Sequence, residues 1–152
     1  MAKALLTYPE FKEIIVFHDN SDSTNFNKIE QAAEETYLNG LIGGDLVDAI
    51  ITGSYTSLLT LIKKCLSYHI SKEYVENGNI LVNKNGIHQR ESDYTSSVEY
   101  RDKKNKINSI IDKLQQYESQ LIAAIVVLDP DEYNDNTIVS APNHFIITAV
   151  GD

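Results

Sequence analysis

The chain of 152 residues is poor in several residue types, and each shortage narrows what it can be. It has no tryptophan, three prolines and a single cysteine, Cys65. One cysteine can form neither an intrachain disulfide nor, within one chain, a zinc site built from several thiolates. Cys65 occupies an apolar position of a helical pattern, so we expect a buried structural thiol. The lack of disulfides fits a reducing cytoplasm.

Basic residues are scarce as well. The 13 lysines and arginines face 22 acidic residues, and the formal net charge is −9. Tight wrapping of DNA or RNA requires basic side chains that neutralise phosphates, so this balance disfavours it. An acidic surface could let DNA slide past without sticking, or it could simply keep the protein soluble.

Long apolar runs are missing too. No stretch approaches the roughly 20 apolar residues that span a bilayer, and the first ten residues have no apolar region typical of a signal peptide. We therefore expect a soluble protein with no membrane contact. The longest apolar run, Leu121 to Leu128, is predicted to be a core segment.

What the sequence does contain is helical periodicity. Apolar residues make up 42% and charged residues 23%, as in ordinary globular domains. Apolar side chains at three- and four-residue spacing predict a mainly α fold, a bundle of about four to five helices. The first predicted helix begins at Thr7, which forms a capping box with Glu10, and ends at about Phe17. The second runs from Asn25 to Gly40, which ends the helix or bends the chain. The others run from Asp45 to Ile51, from Ser54 to Asn77 and from Val98 to Leu128.

Two other segments have the composition of strands. In the first, residues 79–92, the triplet Ile80-Leu81-Val82 precedes the turn dipeptide Asn85-Gly86, which predicts a small β-hairpin or extended loop. The second lies in the last twenty residues, where 137–139 and 144–150 are β-prone. These could form a hairpin, or an extended tail that adds a strand to a neighbouring subunit. We predict a helical domain over residues 1–132 and a β-prone C-terminal tail over 133–152.

A search for reactive groups is mostly negative. The glycines at 40, 43 and 44 lie between two helices and match no nucleotide-binding motif, and the four histidines lack metal-site spacing. His69 lies on the apolar stripe of its helix, so we expect a core or interface histidine. The acidic cluster from Asp129 to Asp135 lacks the glycine and the later glutamate of a calcium loop. We expect no metal, no cofactor and no enzymatic activity, although an acid pair such as Glu34 with Glu73 stays open.

The residues that we expect to contact partners lie mostly outside the helical core. The basic pair Lys103 and Lys104 could contact phosphates, pair with an acidic neighbour or be solvated, and tyrosines supply amphipathic contact area. The full set is Ile80, Val82, Asn85, Gly86, Ile87, His88, Arg90, Tyr94, Tyr100, Lys103, Lys104, Tyr133, Phe145 and Ile147.

The order of these features resembles a known protein family. A short first helix is followed by the segment from Glu30 to Leu46, which contains Ala-Glu, Tyr-Leu and Leu-Ile-Gly in that order. A long apolar helix, an Asn-Gly-Ile strand with Gln89, and a long amphipathic helix come next. Over about Leu6 to Leu128 this resembles the head–tail connector (adaptor) proteins of tailed bacteriophages, in particular those of phages that infect Bacteroidetes.

The resemblance implies a structural protein of the virion neck, assembled in the host bacterial cytoplasm. About twelve copies would form a ring below the portal protein, extend the DNA channel and dock other neck or tail proteins, with DNA only as passing cargo. Residues 79–92 match the family's projecting β region. The alternative is a small helical regulatory or adaptor protein that binds a single protein partner.

Overall fold

The computed structural model describes residues 4–15, 17–18, 23–77, 80–83, 86–89 and 97–133. Most of these residues are helical, which confirms the predicted mainly α class. The predicted tail beyond Tyr133 lies outside the described residues. None of the described helices is by itself both long and apolar enough to cross a membrane. Gly44–Ile51 together with Thr56–Glu76 reaches that length and composition, but the two helices meet at an angle of 100°.

The first helix, α1 (Tyr8–Ile14), begins at the predicted capping box. The Glu10 carboxylate accepts hydrogen bonds from the Thr7 backbone N–H at 2.9 Å and from the Thr7 hydroxyl at 2.8 Å. Its second oxygen pairs with Lys63, which ties this helix to the centre of the fold. The helix is shorter than predicted, because Phe17–His18 leaves it and forms a strand, β1.

The second helical segment contains three pieces in one run. Helix α2 (Ser23–Ala32) passes into a π-helical turn (Ala33–Leu38) and then into α3 (Asn39–Ile42). The prediction that Gly40 ends or bends this helix is wrong, because Gly40 lies inside α3. The chain breaks instead at Gly43, whose φ of 89° and ψ of 142° suit a residue without a Cβ.

The next elements carry the chain to the central helix. Helix α4 (Gly44–Ile51) is followed by a 3₁₀ turn (Thr56–Leu58) and by α5 (Leu59–Asn77). Tyr55 precedes the 3₁₀ turn in a left-handed conformation, with φ 52°, so regular helix begins later than the predicted Ser54. Cys65 is fully buried in α5, as predicted.

The last helix, α6 (Ser97–Leu128), has 32 residues and a length of about 48 Å. It packs along α5 and supplies Ile110, Leu121 and Ile125 to the same core. The strands β2 (Ile80–Asn83) and β3 (Gly86–Gln89) lie between α5 and α6 in the sequence and pair antiparallel. The sheet order is β1-β3-β2, with β1 parallel to β3.

Candidate interaction surfaces

The predicted contact residues are partly brought together in the described structure. Ile80 and Val82 lie on β2, and Gly86, Ile87 and His88 lie on the neighbouring β3. Val82 is opposite Ile87 in the register. These five residues therefore share one two-strand ladder. Asn85, Arg90, Tyr94, Phe145 and Ile147 lie outside the described residues.

The remaining predicted residues lie on or after α6. Tyr100 is in its first turns, Lys103 is half-buried and Lys104 is exposed. Tyr133 packs against the core of its own chain and is only half-exposed. The basic pair is thus about 35 Å along the helix axis from the end of α6, too far to join a site there.

The far end of α6 carries a surface that sequence reasoning placed in the core. Between Lys104 and Gln120, every exposed position of α6 has a polar or charged side chain. The last exposed positions are apolar instead: Val126 is 60% exposed, Val127 85% and Leu128 43%. We call these three residues the apolar end of α6.

The prediction that the run from Leu121 to Leu128 is a core segment is therefore wrong for Val126, Val127 and Leu128, and also for Ala123, which is exposed. Leu121 and Ile125 are fully buried, as predicted. Consecutive helical residues point about 100° apart, so four apolar residues in a row cover nearly all sides of the helix. Only the side at Ile125 faces the core. The run of four apolar residues from Ile125 onward was the available signal.

A second site holds the N-terminal segment through two glutamates. The backbone N–H of Leu6 donates to Glu30 Oε1 at 3.2 Å, and that of Leu5 donates to Glu34 Oε1 at 2.5 Å. Both leucines are buried, and Glu30 is only 3% exposed. Burial raises the pKa of Glu30 to about 8, and the hydrogen bond and negative charge of Glu34 act in the same direction.

Glu30 is thus a protonated carboxyl group inside the fold at neutral pH. Sequence reasoning missed this role, although a signal was present. Glu30 is four residues after Phe26 and three before Ala33, and both of these are buried. That spacing places a carboxyl group on the apolar face of its own helix.

A third group of polar side chains lies between the π-helical turn, α5 and α6. The Tyr37 hydroxyl donates to Glu118 Oε1 at 2.7 Å. The Tyr37 ring stacks on His69, with centroids 4.0 Å apart and planes within 6°. His69 is therefore half-buried and stacked on a tyrosine of its own chain, and the π-helical turn places Tyr37 against both long helices.

The thiol of Cys65 and the imidazole of His69 are both held in neutral forms. Burial, with the charge of Glu118 as a second cause, raises the pKa of the Cys65 thiol to about 12. Burial and the nearby Lys72 lower the pKa of His69 to about 4. At pH 7 the thiol is protonated and the imidazole is neutral, so neither has the charge state of a cysteine–histidine nucleophile pair. The cluster can supply packing and hydrogen bonds.

Groups of three or more histidine, cysteine or acidic side chains that could hold a metal ion do not occur among the described residues. Glu34 interacts with Glu30, four residues earlier on the same helical run. The acid pair Glu34 with Glu73 stays a prediction.

Comparison with known proteins gives one family. Residues 17–126 match a family of unknown function, DUF6712, and this span covers more than half of the chain. Neither the curated proteins nor the solved structures give a match. The matched span includes the π-helical turn, α5 and the two-strand ladder, and it ends at the first residue of the apolar end of α6.

Proposed function

The chain belongs to the DUF6712 family, and we propose that it is a structural subunit of a bacteriophage neck: a head–tail connector that assembles as a ring between portal and tail. In this role it acts through its surfaces, extends the DNA channel and docks neighbouring neck or tail proteins. The proposal includes a location in the virion neck after assembly in the host bacterium.

The observation that carries the proposal is the apolar end of α6. A helix that is polar on its exposed side for most of its length, and apolar there only at its end, presents that end to another molecule. Val127, at 85% exposed, contributes little to the core of its own chain. A partner surface accounts for its side chain.

The resemblance to connectors makes the proposal specific. Its order of elements, from a short first helix through a long helix and strand to a second long helix, is also the order of α1, α5, β3 and α6. In the proposed ring, α5 and α6 form the wall, and the hairpin segment 79–92 projects toward neighbouring subunits. A closed ring needs head-to-tail contacts in which different faces of each copy meet.

The polar cluster around Tyr37 supports a structural role over an enzymatic one. Its thiol and imidazole are neutral at pH 7, and its hydroxyl is engaged by Glu118. These groups connect three helical segments, a function that suits a rigid ring wall.

Electron microscopy of the protein mixed with the portal of the same phage tests the proposal. The expected result is a ring on the tail-facing side of the portal, with a symmetry that matches it. A portal that stays undecorated at protein concentrations in excess of the subunit ratio would overturn the connector role. A small complex of fixed stoichiometry with a different protein would instead support the regulatory adaptor.

A further inference from the structure

We propose that the apolar end of α6 is the docking site for the C-terminal segment Phe145–Val150 of a neighbouring copy of the chain. This inference rests on the proposed ring function and names the contact that links adjacent subunits. It joins an exposed surface in the described fold to a segment of stated sequence outside it.

The receiving surface is uncharged as well as apolar. No charged residue lies between Glu118 and Asp129. The exposed side of α6 therefore changes at Gln120 from charged and amide side chains to Ala123, Val126 and Val127. Such a surface suits an apolar segment and offers nothing to a phosphate or a basic peptide.

The proposed occupant is the most apolar stretch of the remaining chain. Nineteen residues follow Tyr133, and Phe145-Ile146-Ile147-Thr148-Ala149-Val150 contains five apolar side chains in six positions. The four residues just before it, Ala141-Pro142-Asn143-His144, include proline and asparagine, residue types that are common in turns. The segment is long enough to cover a patch of three side chains.

The path of the chain after α6 favours a neighbouring copy as the source. At Asp129 the backbone has φ 46°, which turns it out of the helix, and Pro130 is buried. Glu132 then accepts a hydrogen bond from the Tyr55 hydroxyl at 2.7 Å, and Tyr133 packs on the core. The chain thus leaves on the core side of α6, whereas Val126 and Val127 face away from the core.

Cysteine cross-linking of mixed copies tests the contact. One differently tagged copy carries Val127→Cys and the other Ile147→Cys, and the pair is oxidised both in concentrated solution and on portal. Cys65 is fully buried and stays outside the reaction. We expect a disulfide-linked heterodimer, since only a contact between copies can form it. Gln116→Cys, at an exposed polar position of the same helix, replaces Val127→Cys in the control and should give at least tenfold less product.

The outcomes separate this inference from the connector role. If the heterodimer forms but the protein does not decorate the portal, the docking contact is supported and the connector function is overturned. If the protein decorates the portal but no heterodimer forms, the connector function is supported and the docking contact is overturned. A third outcome concerns the double variant that carries both Val127→Cys and Ile147→Cys. If its disulfide forms only within one chain, the C-terminal segment binds the helix of its own copy, and the proposal is also overturned.

A charge-insertion pair gives an independent readout. Val127→Lys and Ile147→Lys should each reduce assembly on portal at least tenfold, while Gln116→Lys leaves it unchanged. Because Val127 is largely exposed in the single copy, the melting temperature of Val127→Lys should stay within about 2 °C of the parent. Normal assembly by both lysine variants would contradict the proposed contact.

Discussion

The protonated carboxyl group of Glu30 predicts a specific dependence of stability on pH. Its pKa is about 8 in the folded chain, compared with 4.5 for a glutamate in water, the value that applies once the chain unfolds. Between these values the folded state holds a proton that the unfolded state has lost. Stability is therefore fully present below pH 4.5 and falls as the pH rises toward 8.

The size of this effect follows from the two pKa values. One proton bound only in the folded state changes the unfolding free energy by about 1.4 kcal/mol per pH unit. From pH 5.5 to pH 8, Glu30 alone should lower the stability by about 3 kcal/mol, because the change flattens near the folded pKa. In a domain of this size that corresponds to a melting temperature lower by about 10 °C.

Glu30→Gln isolates this contribution. The amide keeps an oxygen that can accept from the Leu6 N–H, its N–H replaces the carboxyl O–H as a donor toward Glu34, and it does not titrate. Urea unfolding at several pH values measures the unfolding free energy of both proteins. The difference between the variant and the parent should change by about 3 kcal/mol in favour of the variant between pH 5.5 and 8.

The control for this experiment is Glu13→Gln, which changes an exposed glutamate on α1. Its pH profile should run parallel to that of the parent. If the Glu30→Gln and parent profiles were also parallel, Glu30 would be ionised in the folded state, and the reasoning from its burial would be refuted.

Three further predictions concern the backbone and the polar cluster. Gly43→Ala should lower the stability by about 1 kcal/mol or more, because φ is 89° at this residue. Gly40→Ala should raise the stability by about 0.5–1 kcal/mol, because Gly40 lies inside α3 with open space around it. Thermal unfolding of both variants tests these two predictions. Tyr37→Phe should cost about 1–3 kcal/mol by leaving Glu118 without its donor, and an unchanged denaturation midpoint would contradict that hydrogen bond. The Cys65 thiol should react with a thiol reagent at pH 8 only as fast as the fold opens; complete labelling within seconds in native buffer would contradict its burial and raised pKa.

The helices were predictable because their signal is local. The capping box at Thr7 and Glu10, and the apolar stripes of α5 and α6, can be read from spacing within a few turns. The π-helical turn has no such signal. The buried positions step from Ala33 to Leu38, five residues apart, a spacing that the 3.6-residue period of an ordinary helix does not predict.

The sheet depends on contacts that are distant in sequence. Phe17 pairs with Ile87, seventy residues later, and nothing around Phe17 indicates that partner. The strands β2 and β3 are close together in the sequence, whereas the parallel pairing of β1 with β3 joins residues that are far apart along the chain. For this reason the sequence assigned Phe17 to the first helix.

The candidate sites were hidden for a similar reason. The spacing of Glu30 from Phe26 and Ala33 places it on the apolar face of its helix, but its burial also depends on Leu5 and Leu6, which are more than twenty residues away in the sequence. In the run from Leu121 to Leu128 every residue is apolar, so the sequence does not indicate which side of the helix faces the core. Which side of α6 a neighbouring element covers depends on where α5 lies.

The energetics of Val127 connect the fold to the proposed assembly. Burying a valine or leucine side chain is worth about 1.5–3 kcal/mol relative to exposing it, and the folded chain gains little of this at Val127, which is 85% exposed. A lysine or glutamine there would leave the core intact, as the polar residues at exposed positions earlier in α6 do. The free energy that Val126, Val127 and Leu128 can release is therefore available to an encounter with another apolar surface. In a subunit that assembles with neighbouring copies, burial of these side chains stabilises the contact between subunits. We expect this burial to occur where the apolar end of α6 meets the C-terminal segment of a neighbouring copy.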